Sequence, residues 1–443
     1  MGDFYLDKQT IADLQLFDDS KGSVFACFNQ TITYGGEDAL RDLFSKPLTD
    51  RDRLRKRTST IKFLMDNVEE LVFDKTAVDF VDYYLKRPDR PKSFSVYTGI
   101  RNAVLHFFSP NQAYYTKRRG IVELFDMLAF VAKLCETYPP VADSPLLADL
   151  RESLGKLTKH PLLAVYVAMP QKRIKRYAVE RMDFLLRKKY HEEALAMLEK
   201  VYMLDAYYAI AKASKTMHLT FPEFHEGESV VVEDVFHPLI GNPVANSLSL
   251  TGGQRVNFVT GANMSGKSTL MKAMGIAVYL AHLGFPVPAA RMRTCILEGL
   301  ITTINLADNI NEGYSHFYNE VKRVKLVAEQ IRQSNRLLVI FDELFRGTNV
   351  KDAYDGSLRI LQAFSGLNKG FFVISTHIVE VAHALASNEK IKFNYLPTHI
   401  ADGKPVFDYR LREGITDDRI GLWILKNEGV FELLEGDLPT AIN

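Results

Sequence analysis

Two glycines bracket four residues in Gly261-Ala262-Asn263-Met264-Ser265-Gly266, and Lys267, Ser268 and Thr269 follow directly. A short apolar run, Val256 to Val259, leads into this stretch. Backbone N–H groups of such a loop can turn inward around a phosphate, and a helix beginning after it presents its positive end to the same anion. In that arrangement Lys267 bridges the β- and γ-phosphates of a nucleotide and the Ser268 hydroxyl ligates Mg²⁺. A glycine-rich turn with no phosphate chemistry is the alternative. The apolar run before it and the helical pattern after it favour the phosphate loop.

A second set of candidates closes the run 336-RLLVIFDE-343. Asp342, at the end of a buried strand, is placed to hold Mg²⁺ through a bound water. Glu343 is placed to orient or deprotonate the attacking water. A comparable run, 370-GFFVIST-376, ends at His377; in ATPases of the ABC type a histidine at that point senses the γ-phosphate. Glu343, Lys267 and His377 are therefore the expected catalytic set, with ATP and Mg²⁺ as ligands.

These residues need a frame, and the apolar spacing predicts one. Residues 1–222 read as helical: 121-IVELFDMLAFVAKLCETY-138 and 192-EEALAMLEKVYMLDAYYAIAKASK-215 carry apolar residues at three- and four-residue spacing. Pro139-Pro140 and Pro222 punctuate the pattern. Beyond Pro222, short apolar runs alternate with helical stretches, the mark of a parallel sheet covered on both faces. The expectation is a multi-domain chain, an all-α domain over 1–222 followed by an α/β P-loop ATPase domain over 223–443.

Composition fits this frame. A length of 443 residues accommodates roughly two to four domains. An apolar fraction of 47% with 25% charged residues is that of an ordinary globular protein. The net charge of +1 leaves any nucleic-acid binding to local patches. Cys27, Cys135 and Cys295 lie far apart, without metal-ligand spacing. With no signal core and no membrane-length apolar run, a reducing cytoplasmic setting without membrane contact is expected.

The motifs together resemble the MutS family of DNA mismatch repair ATPases. That family's Gly-Pro-Asn-Met-x-Gly-Lys-Ser-Thr is matched by 261–269 with Ala262 for the proline. Its Asp-Glu-x-x-Arg-Gly-Thr is Asp342 to Thr348, its Tyr-Asp-Gly is Tyr354-Asp355-Gly356 after a few inserted residues, and its Thr-His-x-x-Glu is Thr376 to Glu380. Gly421-Leu422 resembles a later family segment loosely. The resemblance implies a homodimer in which Ser315, in Ser315-His316-Phe317-Tyr318-Asn319-Glu320, reaches the nucleotide of the other subunit; His316 replaces a threonine. It also implies an adenine clamp in which His237-Pro238 and Asn246 match and Val244 takes the apolar position. Pro243 replaces the clamp's aromatic residue, which weakens base stacking. Leu6-Asp7, Thr10, Leu14 and Leu16-Phe17 resemble the opening of the family's helical core domain, and the helix around Leu204-Asp205 its lever.

The family's mismatch-recognition and connector domains have no counterpart in these 443 residues, and its DNA-gripping clamp is reduced or absent. Residues 100–190 carry no recognised motif. The expectation is a nucleotide-controlled dimeric clamp that acts on DNA in repair or recombination without reading mismatches. An interaction scaffold switched by nucleotide for a protein or RNA partner is the alternative. Asn263-Met264 and Arg346-Gly347-Thr348 argue against an ABC or SMC-type ATPase. Arg173, Lys175, Arg187 and Lys189 lie in a basic run interleaved with Tyr177 and Phe184, a candidate for DNA-backbone contact. Glu180, Asp183 and Glu192 sit among them, so a solvated helix face is equally open.

Overall fold

The structure is a computed structural model and describes residues 3–17, 22–108, 112–138, 144–169, 174–304, 316–345, 348–401, 404–416, 427 and 430–436. The chain opens with strand β1 (Tyr5–Leu6). Helices α1 (Lys8–Asp13), α2 (Val24–Phe28), α3 (Tyr34–Ser45), α4 (Arg51–Asn67), α5 (Lys75–Lys86) and α6 (Val96–Phe108) follow. Next come α7 (Gln112–Thr137), α8 (Pro145–Thr158), α9 (Pro161–Ala168), α10 (Arg176–Phe184), a π-helical turn over Leu185–Lys189, and α11 (His191–Thr216). Strands β2 (Glu223–Phe224), β3 (Ser229–Val235), β4 (Asn246–Thr251) and β5 (Val256–Gly261) precede α12 (Lys267–His282). After it come β6 (Arg291–Thr294), β7 (Gly299–Thr303), α13 (His316–Gln333), β8 (Leu337–Phe341), α14 (Val350–Gly366), β9 (Phe371–Ser375) and α15 (Val379–Leu385). The remaining described elements are β10 (Ile391–Leu396), β11 (Thr398–Ala401), β12 (Lys404–Phe407), β13 (Arg412–Glu413) and α16 (Val430–Gly436).

Two compact units result: one of Phe28–Lys46 and Arg55–Thr216, the other of Met1–Cys27, Pro47–Leu54 and Met217–Asn443. In the first, every described element is helical. Its helices form because apolar side chains recur at helical spacing: Ile121, Leu124, Phe125, Leu128 and Val131 of α7 are all buried. In α11 the small residues Ala206, Ala209 and Ala213 are buried beside Asp205. The Asp205 carboxylate accepts from the backbone N–H groups of Ile32 (2.9 Å) and Thr33 (2.8 Å) and from the Thr33 hydroxyl (2.8 Å), which in turn caps α3 through Gly36 N.

The π-helical turn corrects one sequence-based expectation. Arg187 is fully buried with Leu185 and Leu186 and presents no surface for DNA. Its Nε donates to Asp183 Oδ1 at 2.8 Å, its Nη1 to Asp89 Oδ1 at 3.2 Å, and its Nη2 to the Asp89 carbonyl. Tyr84 donates its hydroxyl to the same Asp183 oxygen at 2.9 Å. Burial and the Asp183 charge push the tyrosine hydroxyl well above its usual range. A charge in the core persists only with such partners.

The second unit is built on a seven-stranded sheet of order β1-β7-β8-β9-β5-β10-β13, parallel throughout except for β13. β7, β8 and β9 are buried at every residue, as expected for strands covered on both faces. A four-stranded sheet of order β2-β6-β3-β4 and a β11-β12 hairpin accompany it. The sequence division at 222 and the compact units differ at three stretches, 1–27, 47–54 and 217–222, which group with the α/β unit. β1 pairs in parallel with β7, Tyr5 N bonding to Glu298 O at 2.8 Å. The short loop at Leu48 is tied at both ends to His282, whose carbonyl accepts from Leu48 N (2.7 Å) and whose Nδ1–H donates to Leu48 O (2.9 Å). Among the described residues no helix is long and apolar enough to cross a membrane.

Candidate nucleotide-binding site

The glycine-rich loop joins the C-terminal end of β5 to α12. Gly261 has φ 144°, and a Cβ there would lie 2.9 Å from both the Leu396 carbonyl oxygen and Ser265 Oγ. Gly266, at φ 101°, is the N-cap of α12, and a Cβ there would meet the Tyr409 ring at 3.1 Å. Both positions therefore require glycine, and the loop's own N–H groups follow that backbone. Lys267 is buried, its ammonium donating to the carbonyls of Gly261 (2.9 Å) and Ala262 (3.0 Å). Ser265 Oγ is buried with no hydrogen-bond partner. An orphaned hydroxyl inside a loop shaped by two such glycines suits a phosphate.

The second half of the site stands at the ends of β8 and β9. Asp342 N donates to Thr303 O at 2.9 Å, and Asp342 Oδ1 accepts from Ser375 Oγ at 2.6 Å. Ser375 Oγ also accepts from Glu343 N at 3.0 Å, so one buried hydroxyl fixes both acids of the pair. His377 Nδ1 stands 3.9 Å from Glu343 Oε2, beyond hydrogen-bond range, and its ring is about half exposed. Ser268 and Asp342 offer hard oxygen donors, a set that fits Mg²⁺ shared with phosphate oxygens and water.

A cavity of about 730 Å³ opens beside the loop. Asn263, Met264, Gly266 to Leu270 and Glu343 line it together with His237, Pro243, Val244, Asn246 and Tyr409. His237 is buried, its Nδ1 accepting from Leu239 N at 3.3 Å. Burial, helped by the charge of Lys272, pulls its pKa down to about 4, so the ring is neutral at pH 7. Asn246 holds the backbone at 409–411, donating to Tyr409 O at 2.8 Å and accepting from Leu411 N at 2.6 Å. Tyr409 and Phe236 are the phenyl-ring residues lining this cavity, and Tyr409 is the one against the loop at Gly266. The sequence reading missed it, because its position depends on that clamp and on a φ of 55°, neither visible in the local pattern.

The structure thus gathers Gly266, Lys267, Ser268, Thr269, Asn263, Met264, His237, Val244 and Glu343 around one cavity, with Asp342 and His377 adjoining Glu343. Ser315, Arg173, Arg346-Gly347 and Gly421-Leu422 lie outside the described residues. Lys175 and Lys189 are exposed on the helical unit; Arg187 is not.

A phosphate-type loop at the C-terminal end of a parallel strand, with an acidic pair at the end of another strand of the sheet, defines a P-loop nucleotide-binding domain. The MutS domain V family model matches residues 257–433. The chain is 27% identical over 248 residues to the DNA mismatch repair protein MutS of Streptococcus gordonii, covering 55% of this chain and 29% of that protein. It is 31% identical over 196 residues to that of Ehrlichia ruminantium (44% and 24%), and 27% over 265 residues to that of Aquifex pyrophilus (57% and 31%). Over roughly half of its length, then, the chain is similar to DNA mismatch repair proteins MutS, and residues 257–433 match MutS domain V. It spans less than a third of the length of the relatives it matches.

Proposed function

We propose that the chain hydrolyses ATP to ADP and phosphate and works as a nucleotide-controlled dimeric clamp on DNA, in repair or recombination, holding the DNA backbone without reading mismatches. The observation that carries this reading is the single cavity shared by the loop, Glu343 and Tyr409. In it the loop N–H groups and the N-terminus of α12 hold the phosphates, and Lys267 balances the charge of the β- and γ-groups. Glu343 takes the proton of the attacking water, and His377 contacts the γ-phosphate from the neighbouring strand end. Ser268 and Asp342 would hold Mg²⁺, Asp342 through a water. An ion held there would supply positive charge opposite the phosphate oxygens. Val244, neutral His237 and the Tyr409 ring receive the base. Ser315 completes the site of the partner subunit. On this reading 1–222 supply a core and lever and 223–443 the ATPase domain of a cytoplasmic protein.

One observation favours a nucleotide-switched scaffold instead. Val96, Ile100, Val104 and Phe108 of α6 are all exposed at four-residue spacing, beside exposed Tyr97, and an apolar stripe of that kind marks a protein contact. The deciding experiment is DNA binding by the 443-residue chain with and without ATP, over several salt concentrations, on matched, mismatched and branched duplexes. The clamp reading expects ATP-dependent affinity that falls steeply with salt and is equal for matched and mismatched duplexes. Absence of DNA binding at low salt would leave the scaffold. Clear mismatch preference would refute backbone-only contact.

A further inference from the structure

At the outer edge of β7, Thr302 N donates to the Thr10 hydroxyl (2.9 Å) and Ile304 N to Asp13 Oδ2 (2.9 Å). The same Asp13 oxygen accepts from Thr302 Oγ1 at 2.8 Å, and Gln9 holds the other carboxylate oxygen at 2.8 Å. Arg323 of α13 closes the arrangement. Its Nε donates to Thr303 Oγ1 (3.0 Å) and its Nη2 to Thr302 O (2.6 Å), while both terminal nitrogens reach the Asp7 carboxylate. Asp7 also caps α1 by accepting from Thr10 N at 2.8 Å. Thr10 and Asp13 are buried, so each of these bonds replaces one that water would otherwise make.

We propose that Asp7, Thr10 and Asp13, together with Arg323, are positioning residues for the acidic pair of the nucleotide site. They act through one backbone contact: Thr303 O accepts from Asp342 N at 2.9 Å. β1 pairs with β7 only at Tyr5 and Leu6, opposite Gly299 and Leu300. Beyond that point, among the described residues, no strand covers this edge of β7, and side chains of α1 take over the N–H groups at 302 and 304. Without them the last turn of β7 carries buried unpaired donors, and the strand end that fixes Asp342 loosens. Burial pushes the Asp7 carboxyl up, but bonding to Arg323 and its charge outweigh this and hold it below the usual carboxylate range. Asp7 is therefore ionised across the working pH range. The loop on β5 is separated from β7 by β8 and β9, so phosphate binding itself is spared.

This proposal rests on Asp342 as the Mg²⁺-side carboxylate, and its test separates the two. Asp13→Ala, Arg323→Gln and the milder, near-isosteric Thr10→Val are compared with the conservative Asp13→Asn, which keeps an acceptor oxygen. Amide hydrogen exchange at Ile304 and Asp342 is measured without nucleotide. Mg²⁺ half-activation of ATP turnover and Mg²⁺-free nucleotide affinity are measured alongside. The expected result is exchange about tenfold faster at both amides, a several-fold higher Mg²⁺ requirement and unchanged Mg²⁺-free affinity, with Asp13→Asn largely restoring each. Unchanged exchange at Asp342 in folded Thr10→Val and Arg323→Gln proteins overturns the proposal. So does a matching loss of Mg²⁺-free affinity, which would indicate general damage. If the wild-type chain shows no Mg²⁺-dependent turnover, the ATPase reading falls, and the exchange result still decides the positioning role.

Discussion

Met264, Glu343 and Tyr409 hold φ angles of 70°, 57° and 55°, and all three line the same cavity. Non-glycine residues in this region cost about 1–3 kcal/mol each and persist where the surroundings enforce them. For Glu343 the enforcing contact is Ser375 Oγ, which receives its N–H. Glu343→Gln is expected to bind ATP normally and to hydrolyse it about a hundred- to a thousandfold more slowly. Wild-type turnover in a single-turnover assay would remove Glu343 from the water-activating role. Tyr409→Ala should weaken ATP binding about tenfold, and Tyr409→Phe should retain it. Equal affinities of the two variants, measured by fluorescent-nucleotide titration, would exclude stacking. The loop 261–269 and Asp342-Glu343 were legible because each is one contiguous stretch with a chemical reason for its order. Tyr409 and the anchoring role of Ser375 were not, since both depend on partners distant in sequence. Arg187 was misread because a run of bases carries no information about which of them is enclosed.

At the scale of elements, continuous apolar runs announced β5, β8 and β9, and helical spacing announced α7 and α11. Nothing announced β1, which has only two residues and is a strand solely because β7 offers an edge. The tie between 47–54 and α12 was equally hidden. It is made by His282, whose Nδ1–H donates to Leu48 O while Nε2 accepts from Leu297 N at 3.2 Å. Both ring nitrogens are used by the neutral form, and burial pulls the pKa down to about 4. The unfolded chain, with a histidine pKa of about 6.5, takes up the proton first. Stability is therefore complete above that value and is lost as pH falls towards 4, by about 3 kcal/mol from His282 alone. Melting temperatures measured between pH 7 and 4.5 should fall more steeply for wild type than for His282→Gln. Parallel curves would show that this ring does not govern acid stability.

For the whole molecule, the net charge of +1 makes any DNA contact a matter of a few exposed side chains. Lys175 and Lys189 are exposed; Arg187, from the same run, is locked against Asp183 and Asp89. Substituting Lys175 and Lys189 with Gln, together with Arg173, should weaken DNA binding and flatten the salt slope by about 0.9 per lost phosphate contact, with unchanged melting temperature. Arg187→Ala should do the reverse, destabilising the fold by about 3–5 kcal/mol because it strands a buried carboxylate. An unaltered salt slope in the triple variant would clear this run of a DNA role. A folded, fully stable Arg187→Ala protein would contradict the buried network.

β1 and α1 are made long before the strand they edge: the Thr10–Thr302 bond spans 292 residues. At ordinary translation speeds that interval is about 15–60 s, during which the helical unit can fold while β1 and α1 wait. Sheet closure at this edge is thus a late, non-local event and among the slowest in the chain's assembly. Severing the chain at residue 222 to obtain 223–443 alone would remove the edge strand and bare β7. A fragment so made should oligomerise edge to edge, as judged by light scattering, and a synthetic peptide of residues 3–17 added in trans should suppress it.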